Sequence, residues 1–305
     1  MNDKNLLHEY KNGNATVKIY NDGTRICETE DDEFKFEFPM NMDIKITNYC
    51  DKGCPFCHEN STPQGKHAPL ENFDFIDSWQ SGCEAALGGG MVTTYPMIST
   101  LLGKLYQKGI ITNVTFHQDE LVNDFDRIKA WQELNWIHGI GVSLHNPTPE
   151  LAGCVNELDN VVFHVINGIV TEEHLNWIRD NIKNPKILIL GYKHFRRGND
   201  YYDVVTKVIQ ERQSWLYKKL PKLIKEMNVV SFDNLALTQL NVKRLLPKKQ
   251  WDLFYQGDEG SSNMYIDAVE GKFAQNSTAV ERYDLKKDVR EMFEEIQWFK
   301  LIKIL

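Results

Sequence analysis

The period of apolar residues changes along the chain. Residues 15–20 (Ala-Thr-Val-Lys-Ile-Tyr) alternate apolar and polar, Asn21-Asp22-Gly23 follows, and 24–28 resumes the strand-like pattern. An Asn-Asp-Gly turn between two such runs predicts a β-hairpin. Phe34, Phe36 and Phe38 alternate with Lys35 and Glu37, which predicts a third strand. Residues 1–41 therefore read as a small antiparallel appendage, either a lid, a docking edge or plain packing.

From residue 42 short apolar runs alternate with helical patterns. Strands are expected over 44–47, 84–87, 110–116, 139–144, 160–166, 185–190 and 229–232. Helices are expected over 70–81, 95–108, 119–134 (Asp119 as N-cap), 148–154, 171–182 and much of 201–227. That alternation implies right-handed βαβ units and a parallel sheet. Too few units are present to close an eight-fold barrel, so residues 42–235 are expected to form an open, partial (βα)6 TIM-like barrel. Ligands in such sheets sit at the C-terminal strand ends. His117, Ser143, Asn167 and Tyr192 lie there, as potential cofactor contacts or as simple caps. Residues 236–305 read as an α+β extension. It has a helical stretch broken at Pro247, a turn-rich loop over 256–262, strands over 263–269 and 272–274, and a closing helix over 285–302.

One loop adds chemistry. The run over 44–47 leads into Cys50-Asp51-Lys52-Gly53-Cys54-Pro55-Phe56-Cys57, spaced C-x3-C-x2-C. Gly53 and Pro55 bend the backbone so that three thiolates converge. A structural zinc site wants four ligands, with His58 or His67 the nearest candidates for the fourth. An iron–sulfur cubane held by three thiolates keeps one iron open for a substrate or cofactor. Cys27, Cys83 and Cys154 are scattered, as in a chain of the reducing cytoplasm. The net charge of −8 repels nucleic-acid phosphates, so a large nucleic acid is an unexpected partner. No apolar run is long enough for a membrane span, nor does the polar start over 1–5 resemble a signal peptide.

With an aromatic residue before its last cysteine, this loop resembles the cluster loop of the radical S-adenosylmethionine superfamily. The resemblance implies that Cys50, Cys54 and Cys57 hold a [4Fe–4S] cluster. The open iron would chelate S-adenosylmethionine, whose reductive cleavage gives a 5′-deoxyadenosyl radical. It places Phe56 near the adenine. One strand–helix unit later the family has a Gly-Gly-Glu-Pro type segment that contacts the methionine amino group; here it reads Gly88-Gly89-Gly90-Met91, without the acid and the proline. Tyr192 and Lys193 follow the sixth strand, where the family offers a backbone contact to adenine.

The expected activity is abstraction of a substrate hydrogen atom, fed by an electron donor of flavodoxin or ferredoxin type. The hairpin and the appended strands offer edges, which favours a peptide or protein substrate; a small molecule or nucleoside is the alternative, and a zinc-binding interaction module is the rival from another class. For substrate contacts the candidates are Arg196 and Arg197 (as anion holders), Asp233 and Asn234 (or a helix cap), and Tyr265 and Asp267 on one strand face. Cys83 or Cys154 could return a hydrogen atom.

Overall fold

The computed structural model describes residues 6–255 and 257–302, with side chains to 297. The polar start over 1–5, Gln256 of the turn-rich loop and the last residues of the chain lie outside it.

Three strands open the chain: β1 (Leu6–Asn12), β2 (Ala15–Tyr20) and β3 (Arg25–Glu28). They form an antiparallel sheet in that order. The expected hairpin is present, but its third strand is β1, not the phenylalanine run. Phe34 to Phe38 is irregular because side chains satisfy its backbone. Asn12 accepts from the N–H groups of Glu37 and Phe38 and donates to the Phe38 carbonyl. Asn14 does the same for Lys35 and Glu33. A strand there would have no free partner for its ladder.

The main sheet holds β4 (Asn41–Thr47), β5 (Glu84–Gly89), β6 (Ile111–His117), β7 (Gly139–Ser143), β8 (Val161–Ile166), β9 (Lys186–Leu190) and β10 (Val229–Phe232). Each pairs in parallel with the next in chain order. The sheet stays open: among the described residues no pairing joins β10 to another edge. Beyond β4 the extension adds β11 (Asn263–Asp267) in parallel, then β12 (Lys272–Ala274) and β13 (Tyr283–Asp284) antiparallel. The appended strands therefore continue the main sheet.

Alternation fixes which way each strand faces. Met42, Ile44 and Ile46 of β4, Val114 and Phe116 of β6, and Ile187 and Ile189 of β9 are buried in the core. Asp43, Lys45, Thr115, His117, Ser143 and His164 point the other way and line one cavity of about 1680 Å³. A closed barrel fills this space with branched apolar side chains; here polar inward residues stand beside Val162, Ile166, Leu188 and Leu190, and the space is open.

Between the strands run α1 (Ile98–Lys108), α2 (Gln118–Asn123), α3 (Phe125–Glu133), α4 (Pro149–Val155), α5 (Glu172–Asn181) and α6 (Arg197–Glu226). The stretch after the cysteine loop is a 3-10 helix, Leu70–Ser78. The single helix expected over 119–134 is two. Asp124 leaves the helical range at φ −107° and ψ 22°, with its carboxylate accepting from the Thr93 hydroxyl. The first cap is His117, not Asp119: its Nδ1 accepts from the Asp119 N–H, while Glu120 accepts from the His117 N–H. After β10 come α7 (Asn234–Gln239), α8 (Lys248–Phe254), which starts after Pro247, and the closing α9 (Val289–Ile302).

The hairpin turn plugs the end of the cavity at the strand N-termini. Asn160 donates to the Asn21 carbonyl, Lys186 to the Asp22 carbonyl, and Arg25 pairs with Glu84 at 2.9 Å. The other end is left to the loops at the strand C-termini.

Candidate functional site

The cysteine loop leaves the C-terminal end of β4. Gly53 takes φ +63°, the Cys57 N–H donates to the Cys54 carbonyl, and the Cys50 N–H donates to the Thr62 carbonyl. All three cysteines are free, partly exposed and line the cavity. Burial, then the neighbouring Cys57 and Cys50 thiols, pushes Cys54 up to about 11. As thiolates the three would repel one another. A cationic centre relieves that repulsion, so the donor set fits a metal–sulfur group.

Two glycines of the triplet serve the loop itself. A Cβ on Gly90 would lie 2.0 Å from the Tyr49 carbonyl oxygen. Gly89 takes φ +117°, and its Cβ would lie 2.4 Å from the Thr47 oxygen. The backbone of 89–91 thus runs directly against Thr47 and Tyr49, with Gly90 and Met91 donating to their carbonyls at 2.8 Å. A Cβ on Gly88 would meet nothing within 4 Å. Gly88 therefore borders open cavity, where a ligand can approach.

His117 and Ser143 line the cavity near the loop, at paired positions of β6 and β7. Asn167 and Tyr192 do not line it. Asn167 is fully buried and donates to Gln239; the Tyr192 hydroxyl donates to the Gly198 carbonyl. Lys193 lines the cavity and reaches His58 at 3.2 Å and Ser277 at 2.9 Å.

The two arginines reach carbonyls just past the cysteine loop and do not line the cavity. Arg196 donates to the Glu59 carbonyl at 2.8 Å and Arg197 to the Ser61 carbonyl at 2.6 Å. Asp233 caps α7 and accepts from the Gly191 N–H, while also facing the cavity; Asn234 donates to the Gly257 carbonyl. Tyr265 lines the cavity with its hydroxyl on the Glu59 carboxylate, and Asp267 pairs with Lys45 and Arg282. Neither Cys83, buried in the core, nor Cys154 reaches the cavity.

One residue in this site carries no signal of its own in the sequence: His145, just past β7. Its ring stacks on Phe56 (5.6 Å between centres) and on His117 (4.8 Å), and its Nε2 lies 3.9 Å from Cys54 Sγ. Cys54, His117 and His145 bring ligand atoms within 4.8 Å of one another. Burial first, then His117 and His174, pushes the imidazole down to about 4, so it is neutral. Only its place at a strand C-terminus could have marked it. His58 and His67, the histidines nearest in sequence, turn elsewhere: His58 to Lys193 and Glu59, His67 to the Thr47 hydroxyl.

No family model matches the sequence, and no curated protein does. Solved structures match the fold. SuiB of Streptococcus suis superposes with TM-score 0.58 at 12% identity, over 97% of this chain and 87% of SuiB. SuiB bound to its precursor peptide SuiA gives TM-score 0.55 at 15% identity, over 85% of this chain. SuiB bound to S-adenosylmethionine gives 0.52 at 16% identity, again over 85%. In the two ligand-bound structures the match spans 65% and 64% of the SuiB chain. The chain thus has the fold of SuiB.

Proposed function

We propose that this chain is a radical S-adenosylmethionine enzyme whose Cys50, Cys54 and Cys57 hold a [4Fe–4S] cluster. The carrying observation is the opening of this three-cysteine loop onto a large cavity, at the C-terminal end of sequentially wound parallel strands. On this reading the open sheet is a partial (βα)6 barrel. Held by Cys50, Cys54 and Cys57, such a cluster would supply the one-electron chemistry for reductive cleavage of S-adenosylmethionine and hydrogen-atom abstraction from the substrate. The protein positions and shields. Phe56 and Gly88 bound the space beside the loop, Ser143 offers a hydroxyl at a strand end, and the hairpin turn lines the far end of the cavity.

The cavity exceeds the usual range for a single small ligand, about 300–1,000 Å³, so it has room for a cofactor and part of a substrate. A peptide substrate is the favoured class, because SuiB of the same fold was solved with its precursor peptide. The electron comes from a flavodoxin- or ferredoxin-type donor.

Anaerobic reconstitution followed by iron and sulfide analysis tests this. The expected result is about four iron and four sulfide per chain with a visible-range absorption band. Zinc without sulfide, in a colourless protein, would refute the proposal and favour a zinc site on Cys54, His117 and His145.

A further inference from the structure

His145 is held by more than its ring contacts. Its backbone N–H donates to Gln118 Oε1 at 2.7 Å, the next N–H donates to the same oxygen at 2.8 Å, and its carbonyl faces His174 Nε2 at 2.9 Å. Stacking on both Phe56 and His117 leaves the ring little freedom to turn: the interplanar angles are 15° and 22°. That leaves Nε2 directed at Cys54 Sγ, 3.9 Å away, within reach of an N–H···S contact. His117 is differently engaged, because its Nδ1 caps α2.

We propose that His145 donates its Nε2–H to the Cys54 sulfur and so raises the potential at which the bound cluster accepts its electron. The inference rests on the cluster reading above. A hydrogen bond to a ligating sulfur withdraws electron density from the thiolate. It stabilises the reduced, more negative cluster more than the oxidised one. The step is one electron in, from the external donor, with no bond made or broken at His145. The separation also argues for this role over ligation: two ligands on different irons of a cubane stand farther apart than 3.9 Å, whereas a donor to sulfur belongs at that range.

The experiment is a redox titration of the reconstituted holoprotein, followed by paramagnetic resonance of the reduced cluster. Wild type is compared with His145→Phe, which keeps a flat ring but has no donor, and with His145→Gln, whose amide N–H reaches to the same place. His145→Phe should be harder to reduce by about tenfold in the one-electron equilibrium, which is about 59 mV; His145→Gln should stay with wild type. Identical potentials in wild type and His145→Phe overturn the inference, as does a glutamine variant that falls with the phenylalanine one. Should His145→Phe fail to assemble a cluster, ¹⁵N-histidine-labelled His117→Asn protein decides: a weak nitrogen coupling to the reduced cluster that persists without His117 supports the bond, and its absence overturns it. A wild-type chain that takes up no iron and sulfide refutes the cluster reading and the inference together. A cluster with an unmoved potential refutes the inference only.

Discussion

Lys45 Nζ lies 3.1 Å from the Glu59 carboxylate and 3.1 Å from the Asp267 carboxylate, with its side chain only 2% exposed. Glu59 sits two residues past Cys57, Lys45 in the first parallel strand and Asp267 in the appended strand β11. The ammonium therefore ties the cysteine loop to the extension. Burial pushes Glu59 up, but His58 and Lys45 outweigh it and hold the carboxyl below its usual range. Removing one partner from such a group leaves buried charge uncompensated. Lys45→Met should cost about 3 kcal/mol in urea unfolding, the low end for such changes, because Arg282 still faces Asp267 and Arg196 still faces Glu59. A loss near zero would mean that the loop and the extension are not energetically joined here.

The glycine triplet separates a structural from a binding role. Gly90→Ala drives a methyl into the Tyr49 carbonyl and should lower unfolding stability by about 1–3 kcal/mol, as overpacking does. Gly88→Ala meets nothing within 4 Å and should unfold like wild type. It should weaken S-adenosylmethionine binding to the reconstituted protein by about tenfold, roughly 1.4 kcal/mol, in a calorimetric titration. Equal binding by Gly88→Ala and wild type would place the cofactor elsewhere.

Arg197 is predicted to act on the loop and not on the substrate. Arg197→Met removes the charged donor to the Ser61 carbonyl and should cost about 1.5–3 kcal/mol. Amide hydrogen exchange should quicken over residues 50–62. Unchanged exchange there would return Arg197 to the list of possible ligand anchors.

Glu120 gives a pH signature. It is 1% exposed, and burial pushes its carboxyl up to about 7 despite the N–H groups of Thr93 and His117. The folded chain then keeps a proton that the unfolded chain releases nearer 4.5, so stability falls as pH rises from about 4.5 to 7. Glu120→Gln should lack that part of the fall, up to about 3 kcal/mol across the window. Parallel pH profiles of wild type and Glu120→Gln would contradict it.

Much of the fold was legible because the strands carry a period of two and end at recognisable turns. The order of β4 to β10 follows from that alternation and the handedness of βαβ units. What could not be read depends on partners distant in sequence. The phenylalanine run looks like a strand until Asn12 and Asn14 are seen to occupy its backbone. The spacing of the arginines does not show that they meet the Glu59 and Ser61 carbonyls. Gly89 and Gly90 look like a ligand cradle, but their nearest neighbours are Thr47 and Tyr49, which lead into the cysteine loop. His145 has no motif; only the packing of Phe56 and His117 around it brings it to Cys54.

The central claim is tested by incubating reconstituted, reduced protein with S-adenosylmethionine and measuring 5′-deoxyadenosine. Wild type should form it and Cys54→Ala should form none. Intact S-adenosylmethionine with a fully assembled cluster, or equal product from Cys54→Ala, would contradict the account.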